Sequence, residues 1–587
     1  MKKTVTLLLA GMSLAHYSQT YNKLSEKTKH KIDSTFNALI KKYKVSGLSI
    51  GIVDRDGIVY SNGYGFSDVK NNVKATDKTI YRIGSMTKSF TALSIIQLQE
   101  KRLVNTDSSI RVYLPELRMQ SRYNDNNQLY IKDILAHISG LPSDVSNGFF
   151  CDVPPDINWL IHELNKQVIS FPSSYVHSYS NVGYGLMGEV IARKAKTSYS
   201  TYIKENIFRP LNMASSYIDK DSVLSANFSK AYIKNKEVQE PMIRDQAAGL
   251  IHSNAIDMSN YLRMYLNKGS LNGVKIVSEE SINEMTKNRL ENTELSSTKN
   301  WGFGLYTNQV YSKTNNDSLL VNIIGHGGDT YAFHSDMAFI PELGVGVVIL
   351  TNSDKGAYIN DADRLLKLYL EETSIKLNTR SKPKKKSPEG WSACGSSEIK
   401  GFYNAGDFII QVKNTKKISF KQGPAKIIFK LKTGDSINYT AKARIYGIVP
   451  IKIKGQEFKF VKRNGQVYLK QVDIKSGNES FVVSKTARTE IPKTWSDAFG
   501  NYQIKKDYYT CTTCSFGNPE GSLLRLNEKD GIIVCKLKAK GSKTVSYINT
   551  ISETTGVTGG VGRGYGETVK ILDNGNIYYS GFEFEKK

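Results

Sequence analysis

Two apolar hairpins bracket residues 48–352, and together they leave few folds open to the chain. The earlier, "LSIGIVDRDGIVYSNGYG" (48–65), turns at Asp56-Gly57; the later, "MAFIPELGVGVVILTN" (337–352), turns around Pro341–Gly344. Ile32, Phe36, Leu39, Ile40 and Tyr43 mark an amphipathic helix ahead of the first hairpin. Between the hairpins the sequence is polar and largely helical in pattern up to about residue 270. Strands at both ends of a helical centre predict one α+β domain over 24–375, with its first and last strands in the same sheet.

Near residue 376 the pattern changes. "NTRSKPKKKSPEGWS" (378–392) is basic and carries Pro and Ser, the composition of a linker, placed here at 376–390. Beyond it come short alternating stretches such as "AKIIFKLKT", "YGIVPIKIKG" and "GIIVCKLKAK", an all-β pattern of sandwich or barrel type. A faint repeat divides this region into two barrel-like modules, 391–492 and 493–587. Trp391-Ser392 leads to Gly401-Phe402-Tyr403, and Trp495-Ser496 leads to Gly500-Asn501-Tyr502.

Charge follows the same division. Of the net +25, residues 376–587 carry +20, with 38 Lys and Arg against 18 Asp and Glu. Such a surface either docks on an anionic cell-wall polymer or lipid headgroup, or is a generic solubilising face. Nucleic acid is not expected, since no recognition motif accompanies the charge. The start, "MKKTVTLLLAGMSLA", has two lysines, an apolar run and a small-x-small box. It reads as a secretory signal over 1–18, too short to span a membrane; a buried N-terminal helix is the other reading. The expectation is an exported chain, periplasmic or secreted, and not an integral membrane protein. Five cysteines are few for such a chain. Cys511-Thr-Thr-Cys514 has half-site spacing for zinc or redox chemistry, but no second pair follows it. A local disulfide involving Cys535, or free thiols, is expected there, with no metal and no cofactor.

The chemistry-bearing candidates begin with Ser-x-x-Lys. That spacing occurs at Ser67/Lys70, Ser85/Lys88, Ser296/Lys299, Ser381/Lys384 and Ser397/Lys400. Only the Ser85 pair opens a helix-periodic apolar run, "MTKSFTALSIIQLQE" (86–100). In a first helical turn, positions i and i+3 share a face, so hydroxyl and amine can meet there. A serine needs a base, and a lysine serves as one only when its pKa is lowered. Tyr179-Ser180-Asn181 precedes a second apolar helix, and His326-Gly327-Gly328 enters the last hairpin, where glycine lets a substrate backbone approach a strand.

In order and in setting, Ser85-x-x-Lys88, Tyr179-x-Asn181 and His326-x-Gly328 resemble the serine β-lactamase and penicillin-binding protein superfamily. Within it they are most similar to the class C-like branch of D-peptidases, D-aminopeptidases and esterases. "ILAHISGLP" (134–142), "IFRPLNM" (207–213) and "AAGLIHSNAIDM" (247–258) resemble that branch's connecting segments. The resemblance implies an antiparallel sheet flanked by helices, a helical subdomain, and a site between them. By position it makes Ser85 the nucleophile, Lys88 its proton acceptor, and Tyr179 the base that returns the proton. Asn181 orients Lys88 and the substrate amide, and the backbone N–H groups of Ser85 and Asp329 form the oxyanion hole. His326 stands where many members carry lysine, which weakens the case for a β-lactam carboxylate clamp. His-x-Gly and two trailing β-modules resemble the D-aminopeptidase layout instead.

Other features are set aside. "HELN" (162–165) resembles the class A deacylation motif but is one residue short in spacing and belongs to the wrong branch, and His252 and His334 read as structural or surface histidines. "GGVGRGYG" (559–566) lacks a following helix, so it is not a nucleotide loop; it is either a flexible hairpin or, by the same resemblance, a loop sent towards the cleft. The resulting expectation is an exported serine hydrolase acting on a small peptide, amide or ester. A peptidase on D-amino-acid peptides leads, with an esterase or weak β-lactamase as the alternative. A cell-wall-binding protein is the competing class. Because every motif precedes the linker, the front domain is expected to carry the chemistry alone; oligomeric state is not legible.

Overall fold

The computed structural model describes residues 24–587 apart from 124–127, 219–226, 292, 296–299, 314–317, 360, 374, 379–389, 405–408, 414–416, 423–424, 432–437, 446–448, 474–478, 487–489, 506–507, 512–518, 530 and 540–541. The expected signal segment, most of the expected linker, and Cys514 lie outside the described residues.

Helix α1 (Glu26–Tyr43) starts on the hydroxyl of Ser25, which accepts from Thr28 N, and stops at Lys44 in a left-handed conformation. Strands β1 (Gly47–Asp54) and β2 (Ile58–Asp68) form the first hairpin. Asp54 ties its turn, accepting at Oδ1 from the N–H groups of Asp56 and Gly57. Helices α2 (Thr87–Glu100), α3 (Ile157–Asn165), α4 (Asn181–Ala195) and α5 (Ala255–Leu266) follow. After them come β3 (Tyr306–Lys313), β4 (Ser318–Asp329), β5 (His334–Ile340), β6 (Val345–Thr351) and helix α6 (Ala362–Leu370). These strands form a nine-stranded sheet with central order β3-β4-β5-β6-β1-β2 and short strands beyond. β1 and β6 pair antiparallel from Leu48↔Thr351 to Asp54↔Val345, so first and last strands do share the sheet.

Both of those strands are buried along their whole length, which is why they read as nearly continuous apolar runs. Leu48, Ile50, Ile52, Val347 and Ile349 pack with Ile32, Phe36, Leu365 and Tyr369 of α1 and α6. Val53, Val348 and Leu350 point the other way, into the core built by α2 and α5. α2 is central: every residue from Thr87 to Leu98 is buried. Its buried hydroxyls are satisfied, with Ser89 donating to Met86 O, Thr91 to Ala247 O and Ser94 to Phe90 O.

The rear of the chain is all β. Strands from Ser392 to Thr486 make a second nine-stranded antiparallel sheet, and those from Gly500 to Lys586 close an eight-stranded barrel. The repeat has a structural meaning. Tyr403 and Tyr502 are fully buried, and each donates its hydroxyl to the carbonyl four residues back, Ile399 O (2.8 Å) and Ala498 O (2.6 Å). Each sits two residues after a glycine with positive φ, Gly401 or Gly500. The tryptophans diverge: Trp495 is enclosed in the barrel core, whereas Trp391 packs edge-on against Tyr468. Cys511 is disulfide-bonded, but Cys535 is not its partner. Cys535 is a free thiol among the barrel's apolar side chains. Among the described residues no helix is long and apolar enough to cross a membrane.

The barrel docks on the front domain. Tyr578 donates to Glu163 Oε2 on α3 (2.9 Å), so the glutamate of "HELN" holds the barrel. Asn147 Nδ2 donates to Gly581 O (2.8 Å), and Ser143 N donates to the buried carboxylate of Glu567 (3.0 Å). Burial, with Asp144 as a like-charged neighbour, raises the Glu567 carboxyl from the ordinary 4.5 to about 8. A folded carboxyl that keeps its proton adds stability fully below pH 4.5 and loses it as pH rises through 8. Glu567→Gln retains an oxygen for Ser143 N without the charge. Thermal unfolding should therefore change little at pH 5 and shift upward by several degrees at pH 8.5; an equal shift at both would show that this carboxyl does not titrate.

Candidate active site

Ser85 sits in a single 3₁₀ turn, Gly84–Met86, that feeds directly into α2. The end of β4 lies against this turn so closely that two glycines are required. Gly84 has φ +53, and a Cβ there would stand 2.9 Å from Asp329 N. A Cβ on Gly328 would stand 2.0 Å from Ile83 O and 2.3 Å from Ser335 Oγ. Gly328 was expected to open the strand for a substrate backbone; its space is taken by the Ser85 turn instead. Gly327 is the open position, with no atom nearer than 3.7 Å to where its Cβ would be. The packing sets the backbone at Asp329 beside that of the Ser85 turn.

One turn into the helix, Lys88 Nζ lies 3.1 Å from Ser85 Oγ and donates to Ala248 O at 2.6 Å. Lys88 is completely buried, with the rings of Tyr179 and Tyr184 at 4.9 and 5.7 Å. Burial first, and the charge of Arg563 second, hold its pKa well below 10.5; Asp144 and Asp245 oppose them. Tyr179 reaches Ser85 from the other side. Burial raises its phenol, and a hydrogen bond with Ser85 pulls against that rise. Ser180 caps α4, accepting from Gly183 N, while its own N–H donates to His137 Nδ1. This fixes Tyr179 and Asn181 at the mouth of the helix. Asn181 was expected to steady Lys88; its amide nitrogen donates to Asp144 Oδ1 at 2.7 Å.

His326 is 3% exposed, and its Nδ1 donates to Gly327 O. Burial, reinforced by Lys88, lowers its pKa to about 3, so the ring is neutral at physiological pH. With Nδ1 carrying the hydrogen, Nε2 is a buried acceptor without a partner among the described residues. His334 bonds Asp329 Oδ1 (2.5 Å). His252 lines a separate cavity of about 590 Å³ with Arg82 and Phe228, which does not include Ser85.

Ser85, Tyr179, Asn181, His326, Gly327 and Asp329 line one cavity of about 390 Å³. Phe149, Phe150 and Trp301 give it an apolar wall, and none of the three carried a motif. Arg563 lines it too, delivered by the barrel. Its guanidinium lies 4.9 Å from the centre of the Tyr179 ring and 3.5 Å from Asp144 Oδ2. The glycine run is thus a loop reaching the cleft, and not a free hairpin. Gly560, Gly562, Gly564 and Gly566 all have positive φ, Gly564 N donates to Ser143 Oγ (2.9 Å), and Gly566 leaves no room for a Cβ against Ser170. The motif residues of the cleft all come from the front domain, and the barrel adds Arg563 to its wall.

The family model of the β-lactamases matches residues 32–371, from within α1 to the end of α6. Protein flp of Staphylococcus aureus is 26% identical over 340 residues, 56% of this chain and 64% of that protein. β-Lactamase-like protein 2 of Dictyostelium discoideum is 27% identical over 344 residues, 55% of this chain and 59% of that protein. The chain thus spans less than two thirds of either relative's length. The octameric penicillin-binding protein homologue from Pyrococcus abyssi shares the fold at TM-score 0.50 and 22% identity, covering 78% of this chain and 99% of that one. The matched span contains both hairpins, the Ser85 turn and all of the cleft except the barrel's loop: the chain belongs to the β-lactamase family.

Proposed function

We propose that the protein is an exported serine hydrolase that works through an acyl-enzyme on Ser85, a peptidase or amidase acting on D-amino-acid-containing peptides. The observation that carries this reading is the buried Lys88 amine 3.1 Å from the Ser85 hydroxyl, its pKa lowered. A lysine whose neutral form is favoured in this way can serve as a base for the serine. Ser85 Oγ attacks the carbonyl carbon as its proton passes to Lys88 Nζ. The new oxyanion lies towards the N–H groups of Ser85 and Asp329, each donor worth about 3–4 kcal/mol. Tyr179 gives its proton to the leaving nitrogen and regains one from Lys88, and the C–N bond breaks. Water then attacks the ester, loses a proton to the same pair, and the acid leaves as Ser85 is reprotonated.

The D-peptide preference is supported by the resemblance of the His326-x-Gly328 strand and the trailing β-modules to D-aminopeptidases. The neutral His326 ring is a poor partner for a β-lactam carboxylate. An esterase with the same machinery is the second reading, favoured by the apolar wall of Phe149, Phe150 and Trp301. A panel of D-amino-acid amides, D-Ala-D-Ala peptides, short p-nitrophenyl esters and nitrocefin separates these outcomes on the purified protein.

Ser85→Ala should abolish turnover and fluorophosphonate labelling, a loss on the order of a millionfold; labelling that persists or moves to another serine refutes the assignment. Tyr179→Phe should keep the fold and lose most of the rate, since only the proton-carrying oxygen is removed. The pH profile gives a separate check. Lys88 is a base only when neutral, above its own pKa, and that pKa is lowered. The acylation rate should therefore rise with pH and level off well below 10.5; a rate still climbing beyond pH 9 would mean that Lys88 titrates as an ordinary lysine.

A further inference from the structure

The cleft lacks a cation on the strand that bears His326. That ring is neutral, and Lys88 is occupied by Ser85 and Ala248. Among the described residues that line the cavity, Arg563 is the one Arg or Lys. We propose that Arg563 binds a carboxylate on the leaving-group side of the substrate, so that the barrel selects peptides ending in a free α-carboxylate over the matching amides and esters. The assignment deepens the acyl-enzyme reading of the same cleft and rests on it.

Position carries the argument. The guanidinium lies 4.9 Å from the ring centre of Tyr179, the group that would protonate the leaving nitrogen. In an α-amino acid the carboxylate carbon is two bonds from that nitrogen, through lengths of about 1.46 and 1.52 Å. A cation beside Tyr179 therefore faces the carboxylate of a C-terminal residue. Availability agrees with position. The Arg563 side chain is 56% exposed, and its ion pair with Asp144 is 3.5 Å long, outside hydrogen-bond range. Asp144 is already engaged by the Asn181 amide, and Asp329 is turned to His334. Most of the five donors of the guanidinium fork are thus left for an incoming anion, and a fork matches a carboxylate in two-point geometry. The loop is also built for placement. Gly564 N is held by Ser143 Oγ, and Gly566 packs flush against Ser170, so the arginine is positioned before any ligand arrives.

A different role would be purely electrostatic: Arg563 also disfavours the charged form of Lys88. An arginine serving only that purpose would matter equally for acid and amide substrates, which makes the comparison decisive. The test uses full-length Ser85→Ala protein, which binds without turnover, and calorimetric titration with N-acetyl-D-Ala-D-Ala and its C-terminal amide. The acid should bind about 10- to 100-fold more tightly than the amide, the range of one charge-assisted pair. Adding Arg563→Ala should erase that difference, Arg563→Lys should keep part of it, and salt should weaken the acid alone. Equal binding of acid and amide, equal weakening of both by Arg563→Ala, or no binding of the acid at millimolar concentration overturns the assignment. Fluorophosphonate labelling of Ser85 in the unsubstituted protein reports on the acyl-enzyme reading separately. If the acid binds preferentially while Ser85 is never labelled, the carboxylate site stands and the hydrolase reading falls.

Discussion

The carbonyl oxygen of Ile83 occupies the space where a Cβ of residue 328 would be, and the cleft depends on that contact. It presses the end of β4 onto the turn that starts α2, beside the Ser85 hydroxyl. Ser335 reinforces the contact by donating to the same carbonyl (2.7 Å). Any side chain at 84 or 328 would push the strand away and separate Asp329 from Ser85. The candidate site is therefore a consequence of how closely two backbones approach, and its side chains are arranged around that approach.

Around this contact the energetics favour neutral forms. Lys88, His326 and His137 are all buried, and burial is the leading cause of the lowered pKa of each. Lys88 and His326 both add to the lowering at His137, and Lys88 adds to that at His326. The result is a pocket in which burial works against positive charge on the bases and against ionisation of the Tyr179 phenol. Arg563 adds a positive charge at the rim, where its side chain is 56% exposed.

That charge arrives from more than two hundred residues beyond α4, which explains the extent of the barrel's docking. Glu163, Asn147 and Ser143 all face the barrel, and Ser143 holds both the loop, through Gly564, and the buried Glu567. The loop's glycines adopt positive φ so that the backbone can turn tightly and lie against Ser170. The two rear regions share the Tyr403 and Tyr502 corner, and among the described residues it is the barrel that supplies one to the cleft.

The linear order of residues determined the α+β architecture of the front domain, because strands buried on both faces read as nearly continuous apolar runs, as 48–53 and 345–350 do. It also singled out Ser85 and Lys88, since an i,i+3 pair at a helix start is a local property that any helix enforces. Tyr179 and His326 were legible as motifs, but their meeting at one cavity depends on loops that close over long separations. Tertiary structure alone decided the partners: Asn181 turns to Asp144, Gly328 serves strand packing, and Cys535 stays a core thiol. It also decided between hairpin and cleft loop for Arg563. A glycine run states only that the backbone is free to take positive φ. Where such a loop lands is set by the docking of Tyr578, Glu567 and Gly581 on the front domain, and those contacts join residues about four hundred positions apart, beyond the reach of any local pattern.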